Sequence, residues 1–336
     1  PLLFVGQRNQ RLGLSNDFHI LFTVGYNKLS DKYRQSLKDV GYKLHDVSNI
    51  YNYLDKDYQA LNKFSNYTKN TFLQWLVIDD FFNKEPIIHY DGDIVSNEDP
   101  KVIAEKLAGT TFILQGCPAF APISNHDWFK QYRHHLNLFT QDIEGYSRKA
   151  WEQRPGWEVT FRTRWAGSRF SKVLIHDQDL HSHLIHTGQL VQDNVEDIML
   201  KLQDYVVFEN PLFIHLYDDN YPYTYKRERN IDYFLCFRQD GELCTYKKKV
   251  LFWHMQNCFN FYASKYILRQ KLFKFLPLGR VNLNLQGGGL ETKINKFARK
   301  YLKHTSRLNV YKYYFEQADF SGLLTEKKWW KSGVFK

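Results

Sequence analysis

Short apolar runs alternate with amphipathic stretches along the first half of the chain. The run at residues 17–27 predicts a strand that ends at a glycine-containing loop. Ser30 is a candidate N-cap for a helix that runs through Leu37, and Gly41 is its stop signal. Residues 42–47 then predict a second strand. A β-α-β unit of this kind indicates a parallel sheet, so the pattern favours the α/β class.

The pattern continues with a strongly apolar helix at 72–82, capped by Asn70 and Thr71, and with an apolar run from Ile87 to Val95 that reads as a buried strand. In this order of elements the run belongs to an open sheet. Further elements are predicted as helices at 100–107, 128–139, 142–151 and 180–190, and as strands at 110–114, 157–165, 205–208, 212–216, 233–237 and 250–254.

Two carboxylates, Asp91 and Asp93, stand one residue apart within this apolar run. Gly92 allows the backbone to turn between them. At the end of a strand in an α/β fold, both carboxylates can face one hard cation and leave positions open for phosphate oxygens. The pattern therefore suggests a metal-chelated nucleotide. An ordinary turn is the alternative, because Asp-Gly is a common turn dipeptide.

Composition narrows the class of protein. The 336 residues allow one large α/β domain with an extension, or two domains. Four scattered cysteines without metal-type spacing indicate reduced thiols and a cytoplasmic protein, and a disulfide such as Cys236–Cys244 is the alternative. We find neither an apolar run of the ~20 residues that span a bilayer nor the pattern of a signal peptide.

The net charge of +10 is unevenly distributed. Residues 247–336 hold 19 basic and 4 acidic residues, a local charge of +15, whereas residues 1–246 hold 27 basic and 32 acidic residues, a local charge of −5. Such asymmetry indicates an anionic partner, which a membrane surface, a nucleic acid or a phosphorylated substrate would satisfy.

Three segments in the expected order resemble glycosyltransferases of the GT-A type, which use nucleotide-sugars. They are residues 22–27, where such enzymes hold the nucleoside, residues 90–93, which match their Asp-x-Asp signature, and residues 251–256, which resemble a late strand with a metal-binding histidine. The resemblance implies a Rossmann-like GT-A domain over residues 15–258, with a mixed sheet flanked by helices. A basic, mainly helical extension would follow at 259–336.

The resemblance also implies a divalent ion, Mn²⁺ or Mg²⁺, on the donor diphosphate. Asp93 would be the direct ligand, and Asp91 would contact both the metal and the ribose. His254 would be a third ligand, and Mn²⁺ tolerates an imidazole more readily than Mg²⁺ does. A histidine packed at a strand end is the alternative interpretation of His254.

The donor contacts follow from the same resemblance. Thr23, Gly25 and Tyr26 lie in the loop after the first strand, and we expect Tyr26 to stack on the base. Asp46, after the second strand, would bind the polar edge of the base, and Lys69 would contact a phosphate. The alternatives are loop packing for Tyr26 and Asp46, and a solvated surface lysine for Lys69.

Histidine and aspartate alternate densely at residues 176–186. A metal cluster is one interpretation, but helical spacing brings only part of the set together, and a helix with an aspartate at its N-terminus fits the pattern as well. In the glycosyltransferase hypothesis, Asp177 or Asp179 lies where some inverting relatives place the general base that takes the proton from an acceptor hydroxyl.

In the basic extension, residues 293–303 place apolar side chains on one helical face and lysines and arginine on the other. A helix of this kind binds an anionic membrane interface, and we therefore expect residues 287–336 to attach the protein peripherally to the inner face of a membrane. A helix packed on the catalytic domain fits the same pattern.

The sequence therefore predicts transfer of a sugar from a nucleoside diphosphate sugar to a hydroxyl of a glycan or glycolipid, with no nucleic acid as partner. A nucleotidyltransferase that makes a nucleotide-sugar is the first alternative, although residues 23–28 hold a single glycine where such enzymes carry a glycine-rich loop. A non-enzymatic nucleic-acid-binding protein is the second alternative.

Overall fold

The computed structural model describes residues 2–113, 118–154, 172–209, 223–227, 233–239 and 242–254. Over these residues the chain is a mixture of helices and short strands, with both parallel and antiparallel pairing. This mixture of helix and sheet is compatible with the predicted α/β class. Three predicted segments lie outside the described residues: the strands at 157–165 and 212–216, and the extension at 259–336.

The helices follow one another as short segments between the strands. In the described part of the chain they are α1 (Leu2–Leu12), α2 (Asp31–Asp39), α3 (Ser48–Asp57), α4 (Asn66–Phe82), α5 (Pro100–Lys106), α6 (Asp127–Gln141), α7 (Ile143–Glu152), α8 (Asp177–His186) and α9 (Val195–Lys201). A search of the described residues finds no helix with the length and apolarity needed to cross a bilayer.

The described strands are β1 (His19–Phe22), β2 (Lys43–Asp46), β3 (Ile87–Tyr90), β4 (Ile94–Ser96), β5 (Phe120–Ile123), β6 (Tyr205–Glu209), β7 (Tyr223–Arg227), β8 (Tyr233–Gln239) and β9 (Glu242–His254). Their hydrogen bonds form a parallel pair β1-β2, an antiparallel pair β3-β5 and a mixed five-stranded sheet. In that sheet β9 pairs with β4 and β8 antiparallel and with β6 parallel, and β7 pairs with β8.

The described residues belong to two compact units. The first unit contains the described residues within Pro1–Ser15, Gly92–Asp99 and Asp204–Trp329. The second unit contains those within Asn16–Asp91 and Pro100–Gln203. The division falls between Asp91 and Gly92, and it therefore passes through the Asp-x-Asp sequence.

The core of the second unit is built around α4. Trp75 of α4 is fully buried, and its ring lies 5.3 Å from that of Trp128 in α6. Tyr132 of α6 stacks on Trp128 and donates a hydrogen bond to the carbonyl of Phe72. Because apolar side chains surround much of α4, the helix packs on several neighbours at once, as a buried helix does.

In the first unit, α1 fixes the segment that follows β4. Arg8 is completely buried, and its guanidinium donates to the carbonyl of Ser96 (2.6 Å) and to Oδ1 of Asn97 (2.8 Å). Asn97 in turn bonds the carbonyls of Val250 and Leu251 in β9. A buried guanidinium needs such partners, and these contacts hold the register of β4 against β9.

Several predicted boundaries were wrong, each for a local reason. The fourth helix starts at Asn66 rather than Phe72, because the hydroxyl of Ser65 accepts the N–H of Thr68 and caps the helix earlier. The run from Ile87 to Val95 is two strands in different sheets, and β3 pairs with β5 rather than with β1 or β2. In the segment predicted as a strand at 110–114, Thr111 forms an isolated bridge to Ile123.

Candidate metal centre

Asp91 is held by backbone pairing at the end of β3. Its N–H donates to the carbonyl of Ala119 (2.7 Å) and continues the ladder between β3 and β5. Gly92 follows, and its φ lies outside the left-handed region. The backbone turns at Gly92 and Asp93 between β3 and β4, as predicted, and a Cβ at Gly92 would make an ordinary contact, at 3.4 Å, with the side chain of Leu2.

Asp93 and His254 lie together within the first unit because of the register of β4 and β9. The antiparallel pair Ile94–His254 places the residue before β4 beside the last described residue of β9. Nε2 of His254 lies 3.6 Å from Oδ1 of Asp93, and the side chains are 11% and 27% exposed. The predicted late-strand histidine is therefore next to the second carboxylate, as the sequence pattern requires.

Three ligand atoms, one from each of Asp91, Asp93 and His254, lie within 4.8 Å of one another. Ligands bound at about 2.1 Å in octahedral geometry are separated by roughly 3 Å when adjacent and 4.2 Å when opposite, and the 3.6 Å between Asp93 and His254 falls in this range. Two carboxylates and one imidazole suit Mn²⁺ and leave positions for phosphate oxygens. The donor set therefore fits the predicted ion.

His89 is a neighbour of this cluster that the sequence analysis missed. Its Nε2 lies 3.0 Å from Oδ1 of Asp91, and its ring packs 4.9 Å from the ring of Trp75. Residues two apart on a strand point to the same face, so the spacing of His89 and Asp91 was the signal available in the sequence. A hydrogen bond from this imidazole orients the carboxylate, as partners of metal ligands commonly do.

The segment predicted to hold the nucleoside forms a defined turn after β1. Gly25 has a φ of +79° and precedes a 3-10 turn at Tyr26–Lys28. The ring of Tyr26 packs 5.3 Å from Phe22 and lies under the guanidinium of Arg34. Thr23 is partly buried in the same turn. These contacts correspond to the loop-packing alternative for Tyr26.

Asp46 faces the same edge of the β1-β2 pair, since Phe22 pairs with Asp46 in the parallel register. Its carboxylate is exposed and accepts the N–H of Ser48 at the start of α3 (3.1 Å). This contact satisfies one of the donors that a helix leaves free at its N-terminus.

The structure does not bring Asp91 to this edge. The ring of Tyr90, the residue before Asp91, lies 5.3 Å from the ring of Phe18, which precedes β1. The predicted nucleoside segment follows β1 at Thr23, about 16 Å further along an extended chain. Asp91 therefore stands near the end of β1 opposite to the one that carries Thr23, Gly25, Tyr26 and Asp46.

Lys69 is engaged inside the second unit. Its ammonium donates to Oδ1 of Asp55 (2.7 Å) and to Oδ1 of Asn62 (2.9 Å), and its side chain is 11% exposed. The predicted phosphate contact would require these bonds to break. We therefore interpret Lys69 as a residue that ties α4 to α3.

Replacing Lys69 with methionine should lower the free energy of unfolding by about 2 kcal/mol, because two hydrogen bonds to a charged group are lost and Asp55 keeps a poorly compensated charge. Lys130→Met, which removes an exposed ion pair with Asp127, should cost less than about 1 kcal/mol. Urea titrations measure both. Unchanged stability of the Lys69 variant together with weaker nucleotide binding would restore the phosphate role.

Asp177 and Asp179 lie in the first turn of α8, which confirms the helical interpretation of this segment. Asp177 is 1% exposed, and Asp179 is 4% exposed. The carboxylate of Asp177 accepts from Nε1 of Trp75 (2.9 Å) and Nε2 of Gln74 (3.1 Å), and it pairs with His176 at 2.7 Å. Within the described part of the chain, the histidines and aspartates of α8 do not form a metal-binding group of their own.

Comparison of the chain with protein-family models, with curated proteins and with solved structures gives no match.

Proposed function

We propose that this protein is a metal-dependent glycosyltransferase with a GT-A type catalytic domain. It would transfer a sugar from a nucleoside diphosphate sugar to a hydroxyl of a glycan or glycolipid. The observation that supports the proposal best is the group formed by Asp91, Asp93 and His254, whose ligand atoms lie within 4.8 Å. The Asp-x-Asp sequence and the late-strand histidine are far apart in the sequence, and Asp93 and His254 lie side by side in the structure.

Asp93 and His254 would hold the ion, Mn²⁺ or Mg²⁺, and Asp91 would complete the set. A bound divalent cation supplies positive charge next to the diphosphate, where negative charge develops as the nucleoside diphosphate leaves. The protein contributes fixed positions for the ligands, through the β4-β9 register and through the hydrogen bond between His89 and Asp91. We assign no donor contact to Thr23, Gly25, Tyr26 and Asp46, because they lie at the end of β1 opposite to Asp91. We assign none to Lys69, because its ammonium is bonded to Asp55 and Asn62.

A membrane-borne acceptor agrees with the charge distribution. The net charge of +15 on residues 247–336 favours binding to an anionic surface. We therefore keep peripheral attachment through residues 287–336 as part of the proposal, together with a location on the cytoplasmic face.

A donor screen tests the proposed function. The full chain is heated with Mn²⁺ and a panel of nucleotide-sugars, among them UDP-glucose, UDP-galactose and GDP-mannose. A ligand at about 100 times its Kd stabilises the folded state by about 2.7 kcal/mol, which should raise the melting temperature by roughly 5 °C. We expect this shift with one nucleotide family and only when metal is present.

Magnesium-free and manganese-free samples with EDTA serve as the control. Equal stabilisation with and without metal would contradict the proposal. So would stabilisation by oligonucleotides instead of nucleotide-sugars, which would favour the nucleic-acid-binding alternative.

A further inference from the structure

His176 and Asp177 form a hydrogen-bonded pair at the start of α8. Nδ1 of His176 lies 2.7 Å from Oδ1 of Asp177, and Nε2 lies 3.2 Å from the hydroxyl of Tyr67 in α4. The imidazole is 19% exposed, whereas Tyr67 is 68% exposed. One ring nitrogen therefore faces a buried carboxylate, and the other faces an exposed hydroxyl.

These contacts determine the tautomer of His176. The N–H of Gln178 lies 3.3 Å from Nδ1, but it has a closer acceptor in Oδ1 of Asp177 at 3.0 Å. A carboxylate can only accept, so the 2.7 Å contact requires the proton on Nδ1. Nε2 then carries the lone pair and accepts from the hydroxyl of Tyr67. An imidazole arranged in this way is a base oriented by a carboxylate, the arrangement that general-base catalysis uses.

The burial of Asp177 gives it the role of a positioning residue. Trp75 and Gln74 donate to its second oxygen, so both oxygens are engaged and neither faces solvent. The imidazole of His176 is 19% exposed against 1% for Asp177, so Nε2 of His176 is the more accessible basic atom of the pair. The general-base role that the sequence assigned to Asp177 or Asp179 fits this adjacent histidine better.

A continuous set of contacts joins this pair to Asp91. The ring of Trp75, which donates to Asp177, packs against His89, and His89 bonds the carboxylate of Asp91. The negative charge of Asp91 also acts on His176. The base and the first carboxylate of the proposed metal centre are therefore connected through Trp75 and His89 within the second unit.

We propose that Nε2 of His176 is the base that deprotonates the acceptor hydroxyl, with Asp177 fixing its tautomer and orientation; this rests on the proposed glycosyltransfer. The acceptor hydroxyl would take the place that the hydroxyl of Tyr67 occupies at Nε2. Its oxygen forms the bond to the anomeric carbon of the donor sugar. The bond from that carbon to the diphosphate oxygen breaks, and its electron pair leaves with the nucleoside diphosphate.

The proton of the acceptor moves to Nε2, which leaves an imidazolium paired with the carboxylate of Asp177. Solvent then removes this proton. Because the acceptor attacks in one displacement, the product should have the opposite anomeric configuration to the donor. The reaction at His176 and Asp177 needs no reactant other than the donor and the acceptor with its hydroxyl group.

The surroundings of His176 favour its charged form. Burial lowers the pKa of His176, but the hydrogen bond to Asp177 and the negative charges around it outweigh burial and raise the pKa above the ordinary 6.5. The groups that act on it are Asp177 and Asp179 from its own helix, Asp91 from the end of β3, Tyr67 from α4 and His181. Because the pKa of His176 is raised, protonation of the imidazole should lower the rate at a higher pH than an ordinary histidine would.

His176→Gln tests the proposal, with His186→Gln as the matched control, since His186 is an exposed histidine of the same helix. Release of nucleoside diphosphate from the best donor of the screen is measured with Mn²⁺ between pH 5 and 9. We expect kcat to fall about 100-fold in His176→Gln, with the KM for the donor unchanged and the acid limb of the pH profile lost. The control should keep the wild-type rate and profile.

A second measurement does not depend on turnover. Nitrogen-15 NMR of the metal-free protein should show His176 as the Nδ1–H tautomer when neutral, and an Nε2–H tautomer would overturn the assignment. So would wild-type kcat and an intact acid limb in a His176→Gln variant that still binds donor with Mn²⁺. If wild-type protein shows no metal-dependent donor binding, the proposed function itself fails, and the NMR result is then the sole test of the pair.

Discussion

Replacing Asp93 with asparagine should remove the metal-dependent stabilisation by nucleotide-sugars and lower the turnover of the donor on the order of a thousandfold. An amide oxygen is a neutral and weaker ligand, and a divalent ion on a leaving diphosphate contributes several kcal/mol to transition-state stabilisation. The loss should appear both in the thermal shift with Mn²⁺ and in the release of nucleoside diphosphate.

The stability of the metal-free variant separates loss of the site from misfolding. The side chain of Asp93 is 27% exposed, and the substitution also relieves repulsion from Asp91. We therefore expect unfolding within about 1 kcal/mol of wild type in EDTA. Asp127→Asn, which alters an exposed carboxylate of α6, should keep full metal dependence. A normal thermal shift with Mn²⁺ and donor in Asp93→Asn would remove the metal assignment.

Acid should destabilise the second unit through His181, and His181→Phe should reduce this effect. His181 is 1% exposed, and neither ring nitrogen has a hydrogen-bond partner among the residues that the structure describes. Its ring packs 5.0 Å from Trp75, 5.5 Å from Trp128 and 5.1 Å from Tyr132. Burial is the main cause that lowers the pKa of His181 to about 4, because a charged imidazole is poorly solvated among these rings.

The direction of this pH effect on stability follows from the pKa of His181 in the unfolded chain and in the folded chain. The unfolded chain binds a proton at His181 below about 6.5, whereas the folded chain does so only below about 4. The neutral form therefore contributes stability above pH 6.5, and this contribution is lost as the pH falls from 6.5 to 4. The full loss is about 3 kcal/mol, of which about 2 kcal/mol is gone by pH 5. His183, with a pKa also lowered to about 4 by burial, acts in the same direction.

Urea titrations at pH 7 and pH 5 measure this prediction. The difference in the free energy of unfolding between the two pH values should be about 2 kcal/mol smaller in His181→Phe than in wild type. His186→Phe, at an exposed position of the same helix, should keep the wild-type difference. An unchanged pH dependence in His181→Phe would show that the buried imidazole is not the acid-sensitive group.

Local signals in the sequence predicted β1, α2 and β2 well, although they missed α1 (Leu2–Leu12). Ser30 caps α2 as expected, because its hydroxyl accepts the N–H of Tyr33. Gly41 has a φ of +101°, which fits its role after the helix. The parallel pairing of β1 and β2 was also confirmed. In each case the information lies within a few residues of the feature that it determines.

Long-range pairing was not available from local patterns. The sequence run from Ile87 to Val95 gave no sign that β3 would pair with β5 while β4 would pair with β9. Lys69 was misassigned because α3 was not predicted, so its partner Asp55 was not placed. Both errors arise because the prediction for a residue used only its neighbours in the sequence. In the structure a distant segment determines the contacts of that residue.

The candidate metal centre could be predicted because three residues with a shared chemistry occur in a recognisable order. The proposed base could not, since the position of His176 depends on Trp75 and Gln74, which anchor Asp177 from another helix. The dense histidine and aspartate pattern at residues 176–186 did point to the segment that holds this proposed base. Which of its members is buried and which is accessible became apparent only from the packing of α4 and α8.

The most direct test of the central claim is the position of manganese in a crystal of the full chain grown with Mn²⁺ and the nucleotide-sugar selected by the screen. Diffraction data at the manganese absorption edge should show an anomalous peak about 2.1 Å from a carboxylate oxygen of Asp93, with His254 and the diphosphate as further ligands. Manganese and nucleotide bound elsewhere on the protein, with the candidate metal centre free of metal, would contradict the account.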